Sequence, residues 1–388
     1  MKIAIIGAGF CGLSIAWQLA ALGEVTLFDA QGIGAGASGI ASGLLHPYVG
    51  EQARRSAFAT EGLSATRKLL ALAQNYSKQP LALETGVLRF IQNSEQLQQF
   101  QTHQQRFQDV QQVSSNCFLI QSGMTVHCAA YLDALWLAAS AKNVRFVQQE
   151  IHSLATLRST FDQIVVAAGA GTMPLLYCAR PKIVNFGDKI LSPGSRLERD
   201  AISRAASERE GGCQDSKDVE KNSQDWAGRS ITDYPLRVSL VKGQILTCRI
   251  PPELVLPAPS MIGKGYIAHA QDPSICYVGS TYERGKVLAP AAQVQTELFD
   301  KVAQFFPEVH ALEVLDCRSA CRVLRCGHYL PLVQRLDTSL WVCTAMGSRG
   351  LLYHALAAEQ LKEAIRSGDS TCIAPEFEQQ LSKKRQNA

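Results

Sequence analysis

The chain opens with an apolar run that leads directly into regularly spaced glycines. Residues 3–12 read Ile-Ala-Ile-Ile-Gly-Ala-Gly-Phe-Cys-Gly, which places Gly7, Gly9 and Gly12 in the pattern G-x-G-x-x-G. The apolar run predicts a buried strand that ends where the glycines begin. In this pattern the glycines allow, in order, a tight turn, close approach of the backbone to a pyrophosphate, and close packing of a helix on its strand.

The next residues complete a β-α-β unit. An Ala- and Leu-rich helix is predicted over Leu13–Leu22, and a second strand over Val25–Phe28 ends at Asp29. The helix N-terminus offers N–H groups and a positive dipole end to phosphates, and Asp29 is placed to bind a ribose hydroxyl. The alternative is a signal peptide or membrane span, because residues 3–22 carry no charge. The glycine spacing and the lack of a cleavage pattern favour the β-α-β unit.

Length and composition indicate a globular protein of two closely joined domains. Hydrophobic residues make up 46% of the 388 residues, charged residues 19%, and the net charge is +4. A charge this small gives no case for nucleic-acid binding, and no later segment is apolar enough to span a membrane. The 12 cysteines are scattered, which favours reduced thiols in a cytoplasmic protein.

One group of cysteines is a candidate metal or iron–sulfur site. Cys317, Cys321 and Cys326 stand near His328 in the sequence. Their spacing matches neither the standard zinc patterns nor the ferredoxin patterns, and buried free cysteines pack as small hydrophobic residues. We therefore predict no metal site.

A glycine-rich stretch, Gly32–Gly43, runs into Leu-Leu-His-Pro-Tyr at 44–48. This composition favours backbone that approaches a ligand closely over a flexible linker. Together with the N-terminal glycines, the stretch resembles the D-amino-acid-oxidase superfamily of FAD enzymes, and within it the FAD domain of the bifunctional enzymes that modify the wobble uridine of tRNA. The resemblance implies that FAD is the cofactor, that residues 36–43 run along the flavin, and that His46 lies near its ring. The alternative for His46 is a histidine whose hydrogen bonds are satisfied within its own loop.

Two later motifs agree with FAD binding. Residues 164–171 read Ile-Val-Val-Ala-Ala-Gly-Ala-Gly, a buried strand that ends in small residues, and residues 347–351 read Gly-Ser-Arg-Gly-Leu before a long helix. In the family the second motif is the last FAD contact, where the helix N-terminus can stabilise negative charge on the reduced flavin. The cofactor-binding residues that the resemblance implies are Gly7, Ala8, Gly9, Phe10, Cys11, Gly12, Asp29, Gly36, Ala37, Ser38, Ile151, Ala168, Gly169, Gly347, Ser348, Arg349, Gly350 and Leu351.

The resemblance also implies an arginine that binds a substrate carboxylate, a role suited to the planar guanidinium. Residues 312–322, Leu-Glu-Val-Leu-Asp-Cys-Arg-Ser-Ala-Cys-Arg, resemble the family strand that ends in this arginine, although the usual preceding glycine is missing. Arg318 and Arg322 both fit, and Arg318 is preferred. Family members line the roof of the pocket at the positions of Tyr266, His269, Tyr282 and Glu283. The catalytic candidates are Arg318, Arg322, His46 and Tyr282.

We predict an α/β plus α+β fold, in which a Rossmann-like FAD-binding domain is interleaved with a substrate domain built on an antiparallel sheet. The FAD-binding domain is expected to comprise residues 1–80, 120–185 and 312–375, and the substrate domain residues 81–119 and 231–311. Residues 186–230 differ, because 15 of the 38 residues in 193–230 are charged. We predict a charged, mobile insertion there.

The predicted function is oxidation of a C–N bond in a small-molecule amine or amino-acid-like substrate, by hydride transfer to flavin N5 followed by hydrolysis of the imine. One alternative is oxidative trimming of a carboxymethylaminomethyl group on tRNA wobble uridine, although we expect the methyltransferase half of the bifunctional enzymes to be absent because the strand before the glycines starts at residue 3. A second alternative is a non-catalytic flavoprotein. The sequence leaves open the substrate, the electron acceptor, the oligomeric state and covalent attachment of FAD.

Overall fold

The computed structural model describes residues 1–177, 236–283 and 288–379, so the predicted insertion at 186–230 lies outside the described residues. The described helices are α1 Phe10–Leu19, α2 Ala59–Gln74, α3 Ser94–Arg106, α4 Cys128–Ser140, α5 Ala155–Arg158, α6 Thr172–Tyr177, α7 Ala291–Ala303 and α8 Gly350–Ser367. The described strands are β1 Lys2–Ile6, β2 Glu24–Asp29, β3 Leu44–Leu45, β4 Ala82–Leu83, β5 Val87–Phe90, β6 Val110–Ser114, β7 Cys117–Ile120, β8 Met124–Val126, β9 Arg145–Gln148, β10 Gln163–Val166, β11 Val238–Arg249, β12 Ser260–Ile262, β13 Tyr266–His269, β14 Ile275–Gly279, β15 Glu313–Arg325, β16 Leu332–Arg335 and β17 Leu340–Thr344.

The first large sheet has six strands in the order β16-β17-β10-β1-β2-β9. Its strands are parallel except for β16, which pairs with β17 antiparallel at one edge. Successive residues of β1 enter different cores: Ile3 and Ile5 pack with α1, α2, α4 and α8, whereas Ala4 and Ile6 pack with α5 and α6. A strand buried on both faces needs apolar residues at every position, which explains its continuous apolar sequence.

The second large sheet has eight strands in the order β15-β11-β14-β13-β12-β5-β7-β6. Its strands are antiparallel except for the parallel pair β12 and β5. Helix α7 covers one face, where Leu246, Val278 and Leu298 are fully buried. The prediction of a Rossmann-like domain joined to a second, largely antiparallel sheet domain is therefore confirmed.

A third sheet of three short strands, β3-β8-β4, was not expected from the sequence. Strand β3 pairs with β8, and β8 pairs with β4, both antiparallel. This small sheet fixes the chain at Leu44–Leu45, directly before His46. It therefore positions the end of the glycine-rich stretch that precedes it.

Two predicted helices are shorter than the sequence pattern suggests. The apolar positions of residues 51–75, among them Leu63, Leu69 and Leu70, predict a helix over the whole range. Helix α2 begins only at Ala59, because Phe58 has a φ of 54° and the Ser56 N–H donates to the Pro47 carbonyl at 2.8 Å. Tertiary hydrogen bonds thus hold the preceding residues in a loop. Leu97, Phe100, Phe107 and Val110 recur at helical spacing and predict an amphipathic helix over 92–112. The helix ends at Arg106, and β6 follows it.

The sequence pattern predicts two strands, over 238–241 and 244–250, with a break near Gly243. Strand β11 instead runs unbroken for 12 residues. The glycine marks a close approach inside the strand, since an added Cβ would lie 2.5 Å from a guanidinium nitrogen of Arg322. Strand β15 pairs with β11 in the eight-stranded sheet, whereas the predicted division placed 312–375 in the FAD-binding domain. Strand β15 therefore belongs to the same sheet as β11. The predicted division of the chain into an FAD-binding and a substrate domain stays a prediction.

Candidate functional site

The turn after β1 has the geometry that its glycines predict. Gly7 has a φ of 108°, a conformation that residues with a side chain rarely adopt. A Cβ on Gly12 would collide with the Gly7 carbonyl oxygen, so this glycine lets α1 pack against the turn. Gly9 is the N-cap of α1 and supplies no side-chain cap. Backbone N–H groups of the first helical turn are therefore suited to bind phosphate oxygens.

Asp29 and Ser38 hold the segments around this turn. One carboxylate oxygen of Asp29 accepts from the Ala8 N–H at 2.8 Å, and the other accepts from the N–H groups of Gln31 and Gly32 at 2.9 and 3.0 Å. The Ser38 hydroxyl accepts from the Phe10 N–H at 3.1 Å. Asp29 thus orders the turn beside the predicted ribose position, and the oxygen that accepts from Ala8 keeps a lone pair for a further donor. Gly36 and Ala37 lie in the turns just before Ser38.

The strand-end motif after β10 lies against the same turn. A Cβ on Gly7 would lie 2.8 Å from Cα of Ala168, and Gly169 has a φ of 54°. Ile151 lies three residues beyond the end of β9 and packs in the same core cluster as Ala168. Cys11, in the first turn of α1, is partly exposed and packs against the other core.

The motif at 347–351 forms the N-terminus of α8 and meets the start of α1. Gly347 has a φ of 54° and donates its N–H to the Val323 carbonyl at 2.8 Å. A Cβ on Gly350 would lie 4.0 Å from the Phe10 ring. Ser348 is exposed, whereas Leu351 is buried in the core. Two helix N-termini and three glycine-containing turns therefore converge here, which fits an elongated dinucleotide such as FAD.

A buried pair behind these turns was not found from the sequence. The Tyr131 hydroxyl and Nε2 of His354 are 2.9 Å apart, and the Phe10 ring packs against both rings. Nδ1 of His354 lies 3.0 Å from the Gly350 carbonyl. Burial lowers the pKa of His354 to about 4, so the imidazole is neutral at pH 7. The pair joins α1, α4 and α8 behind the predicted FAD contacts.

The eight-stranded sheet carries polar side chains on the face opposite α7, which we call the polar face. Leu88, Ile267 and Cys317 belong to the α7 side, so strand alternation places their neighbours on the other face. The residues assigned to the polar face in this way are Arg89 on β5, Tyr266 on β13, Tyr277 on β14, and Arg318 and Arg322 on β15. His269, three residues after Tyr266, falls on the α7 side, and its Nε2 lies 2.8 Å from the Pro257 carbonyl.

The two candidate arginines of β15 have different surroundings. Leu324 forms an isolated bridge with Met346, beside the Gly347 turn. At about 3.4 Å per residue, Arg322 lies about 7 Å and Arg318 about 20 Å along the strand from Leu324. Nε of Arg318 pairs with the exposed Asp316 carboxylate at 3.8 Å, and its guanidinium lies over the Tyr277 ring. The sequence preference for Arg318 thus selects the arginine farther from the predicted flavin contacts.

Arg322 lies within a cluster of tyrosines. Its guanidinium donates to the Thr281 carbonyl at 3.3 Å and lies 5.9 Å from the centre of the half-exposed Tyr282 ring. Burial raises the pKa of Tyr266, while a hydrogen bond with Ser42 and the charge of Arg322 oppose that shift. Arg322 and the end of the glycine-rich stretch therefore both lie close to Tyr266. Glu283, predicted beside Tyr282, pairs through its backbone with Lys242.

His46 is buried within electrostatic reach of two arginines. Burial, followed by the charges of Arg89 and Arg349, lowers the pKa of His46 to about 3. Arg89 is 4% exposed, and burial lowers its pKa to about 10, so it stays charged at pH 7. The Arg349 guanidinium donates to the Ser56 hydroxyl and to the Val49 carbonyl, both at 3.2 Å, and lies over the Tyr329 ring. Arg89 was not predicted from the sequence. The feature that could have identified it is a charged residue at a strand position whose side chain is buried.

Within the described ranges, no group of three or more His, Cys, Asp or Glu side chains is arranged to hold a metal ion. Cys317 and Cys321 lie on β15, and Cys326 follows its end. None of the described helices combines the length and apolarity that crossing a bilayer requires.

Comparisons with known proteins identify the family and the fold. The family model "DAO: FAD dependent oxidoreductase" matches residues 2–192 and 223–364. The tRNA 5-methylaminomethyl-2-thiouridine biosynthesis bifunctional protein MnmC of Marinobacter nauticus is 26% identical over 94% of this chain and 55% of its own length. The chain thus spans about half the length of that curated relative.

Solved structures share the fold. Glycine oxidase from Geobacillus kaustophilus has a TM-score of 0.70 at 17% identity, over 97% of this chain and 98% of that one. Iminodiacetate oxidase from Chelativorans has a TM-score of 0.66 at 17% identity, over 95% of both chains.

Proposed function

Because the chain belongs to the DAO family of FAD-dependent oxidoreductases, we propose that it oxidises a C–N bond of an amine or amino-acid-like substrate whose carboxylate is bound by Arg322. The observation that carries the proposal is the position of Arg322 on the polar face, two residues before the Leu324 bridge to the Gly347 turn. A guanidinium there supplies a planar pair of donors that stays charged when water is excluded.

The cofactor of the family is FAD, which supplies the hydride acceptor when it is bound. The proposed holding groups are the N–H groups at the start of α1, the Asp29 carboxylate and the N-terminus of α8. Arg322 orients the substrate by its carboxylate, and the half-exposed Tyr282 ring lies 5.9 Å from the guanidinium. The amine reacts in its neutral form: the adjacent carbon loses a hydride, the nitrogen loses a proton, and water hydrolyses the imine. No side chain is required as a base on that carbon.

A second candidate is trimming of a carboxymethylaminomethyl group on tRNA wobble uridine. It is supported by the similarity to the MnmC protein along 94% of the chain. The same chemistry would act on a glycine-like group that is attached to a base. The two candidates differ only in what the amine nitrogen carries.

The test is anaerobic reduction of the FAD-loaded protein. Glycine, sarcosine, D-amino acids and tRNA that carries the modification are added separately, and the visible absorbance of oxidised flavin is followed. Bleaching by a small amine is expected under the first proposal. Bleaching by tRNA alone would transfer the assignment to the second, and no bleaching by any of these substrates would contradict both.

A further inference from the structure

A hydrogen-bonded pair of buried side chains, Tyr131 on α4 and His354 on α8, lies behind the predicted flavin contacts. Both residues are 0% exposed, and the Tyr131 hydroxyl lies 2.9 Å from Nε2 of His354. The Phe10 ring, at the start of α1, has its centre 6.0 Å from the centre of the Tyr131 ring and 5.5 Å from that of the imidazole. The pair thus connects three helices, and the proposed reaction gives it no role.

The hydrogen bonds of His354 determine which ring nitrogen carries the proton. Nδ1 lies 3.0 Å from the Gly350 carbonyl oxygen and 3.1 Å from the Leu351 carbonyl oxygen, and a carbonyl oxygen can only accept. Nδ1 is therefore the donor nitrogen. Because the imidazole is neutral at pH 7, Nε2 is the acceptor, and the Tyr131 hydroxyl donates to it. A directed chain of hydrogen bonds thus runs from Tyr131 through His354 to Gly350.

The Gly350 carbonyl at the end of this chain shares its peptide plane with a backbone donor. The Leu351 N–H lies in the same plane and points the opposite way, out of the N-terminus of α8. This N–H has no acceptor among the described residues, whereas the Leu352 N–H donates to the Arg349 carbonyl at 3.0 Å. The His354 imidazole therefore orients a backbone donor that is left for a ligand.

The backbone at the start of α8 is otherwise weakly restrained. Gly347 and Gly350 have no Cβ, and Arg349 at the N-cap position supplies no side-chain cap. Two apolar side chains would fill the same space at a lower desolvation cost. A buried polar pair whose hydrogen bonds are all satisfied specifies one geometry instead. The tyrosine and the histidine thus fix the orientation of the helix start.

We propose that Tyr131 and His354 are positioning residues for the flavin, which hold the Leu351 N–H toward it and raise the reduction potential of the bound cofactor. The inference rests on the proposed function, which puts the N-terminus of α8 among the groups that hold FAD. Reduced flavin carries more negative charge than oxidised flavin, so an aligned N–H at the positive end of a helix dipole stabilises the reduced form more. Neither side chain contacts the cofactor itself, because both are 0% exposed.

The test measures the reduction potential of the FAD-loaded protein by anaerobic equilibration with a reference dye. Tyr131→Phe keeps the ring and removes only the hydroxyl group. The matched control is Tyr48→Phe, which removes another tyrosine hydroxyl from a 0% exposed residue. That hydroxyl donates to Asp109 at 2.7 Å, and Tyr48 belongs to a separate core cluster with Phe100 and Phe118.

The expected result is a lower potential for Tyr131→Phe alone. At a fixed potential its ratio of reduced to oxidised flavin should fall about tenfold, which corresponds to about 30 mV for a two-electron couple. Tyr48→Phe should keep the potential of the unchanged protein. The affinity for oxidised FAD should fall less than tenfold in Tyr131→Phe, and the two variants should unfold at similar temperatures, because each loses a buried hydrogen bond.

A second measurement tests the direction of the hydrogen bonds in the unchanged protein. Nitrogen NMR of isotope-labelled histidine distinguishes a protonated ring nitrogen from a bare one, and comparison with His354→Gln assigns the signals of His354. The proton is expected on Nδ1 at pH 7. A proton on Nε2 would overturn the inference, because the Gly350 carbonyl would then receive no hydrogen bond from the imidazole.

Two potentials would also overturn the inference: an unchanged value for Tyr131→Phe, or an equal decrease in Tyr131→Phe and Tyr48→Phe, since general loosening of the core would then be the cause. Loss of FAD or of cooperative unfolding in Tyr131→Phe alone would contradict it as well and assign the pair a purely structural role. Because neither measurement uses an amine, failure here is distinguishable from failure of the flavin-reduction test.

Discussion

The fingerprint turn and the polar face are both suited to bind anions, but they are built in opposite ways. At the turn, Gly7 and Gly12 remove side chains so that backbone N–H groups can approach a ligand. On the polar face, Arg89 and Arg322 supply whole charges from strands that are far apart in sequence. A backbone site depends on local sequence spacing, whereas a side-chain site depends on the register of distant strands.

The largest expected effect comes from filling the backbone site. Gly12→Val would place a branched side chain against the Gly7 carbonyl and force α1 away from its strand. We expect loss of FAD binding and a decrease of about 3 kcal/mol or more in the free energy of unfolding. FAD content and urea denaturation measure these effects.

The matched control is Gly171→Ala, whose new Cβ would meet Cβ of Ala168 at 3.6 Å, an ordinary contact. It should bind FAD as the unchanged protein does. Equal FAD contents for the two variants would show that the fingerprint turn does not need its tight packing.

The side-chain site is tested by replacing each of the two candidate arginines of β15 with methionine. Arg322→Met should lower kcat/KM for an amino-acid-like substrate about 100-fold, because the substrate carboxylate loses a charged, desolvated partner. Arg318→Met should have much less effect, since Arg318 pairs with the exposed Asp316. Steady-state kinetics of the FAD-loaded variants measure the difference. The reverse order of effects would restore Arg318 as the carboxylate-binding residue.

A smaller effect is expected from the buried pair behind the turns. The folded-state pKa of His354 is about 4, below its usual 6.5. As the pH falls from 6.5 toward 4, the unfolded chain takes up a proton that the folded chain does not, so this histidine destabilises the fold. At pH 5 this proton uptake lowers the free energy of unfolding by about 2 kcal/mol.

Between pH 7 and pH 5, the free energy of unfolding of His354→Gln should therefore fall by about 2 kcal/mol less than that of the unchanged protein. Urea denaturation at both pH values measures the difference. His46 contributes in the same direction, so part of the pH dependence remains in the variant. An identical pH dependence in both proteins would mean that His354 titrates normally in the folded state.

The difference between a backbone site and a side-chain site also explains which parts of the site the sequence could predict. Gly7, Gly9 and Gly12 stand together in the chain, so the strand, turn and helix around them follow from local spacing alone. Arg322 could not be separated from Arg318, because both lie on one face of β15 and only the bridge of Leu324 to Met346 distinguishes their positions. Arg89 was missed because its burial depends on the pairing of β5 with β12 and β7.

Gly243 and the residues before α2 also depend on contacts with residues that are distant in sequence, which local sequence patterns cannot predict. Glycine in a strand pattern predicted a break, but the neighbouring Arg322 side chain needs the space that the missing Cβ leaves. The start of α2 depends on hydrogen bonds from the loop to Pro47 and, through Ala57, to Tyr353, which is remote in sequence. Local propensity carries no information on either contact.

The strand order of the six-stranded sheet also determines when this protein can complete its fold during synthesis. Strand β1 emerges first, but its neighbour β10 follows about 160 residues later, and β10 in turn pairs with β17 at residues 340–344. A sheet made from such distant segments closes slowly, because loop closure precedes the stabilising contacts. The glycine turn therefore leaves the ribosome early, but its complete sheet forms only after β17 has been translated.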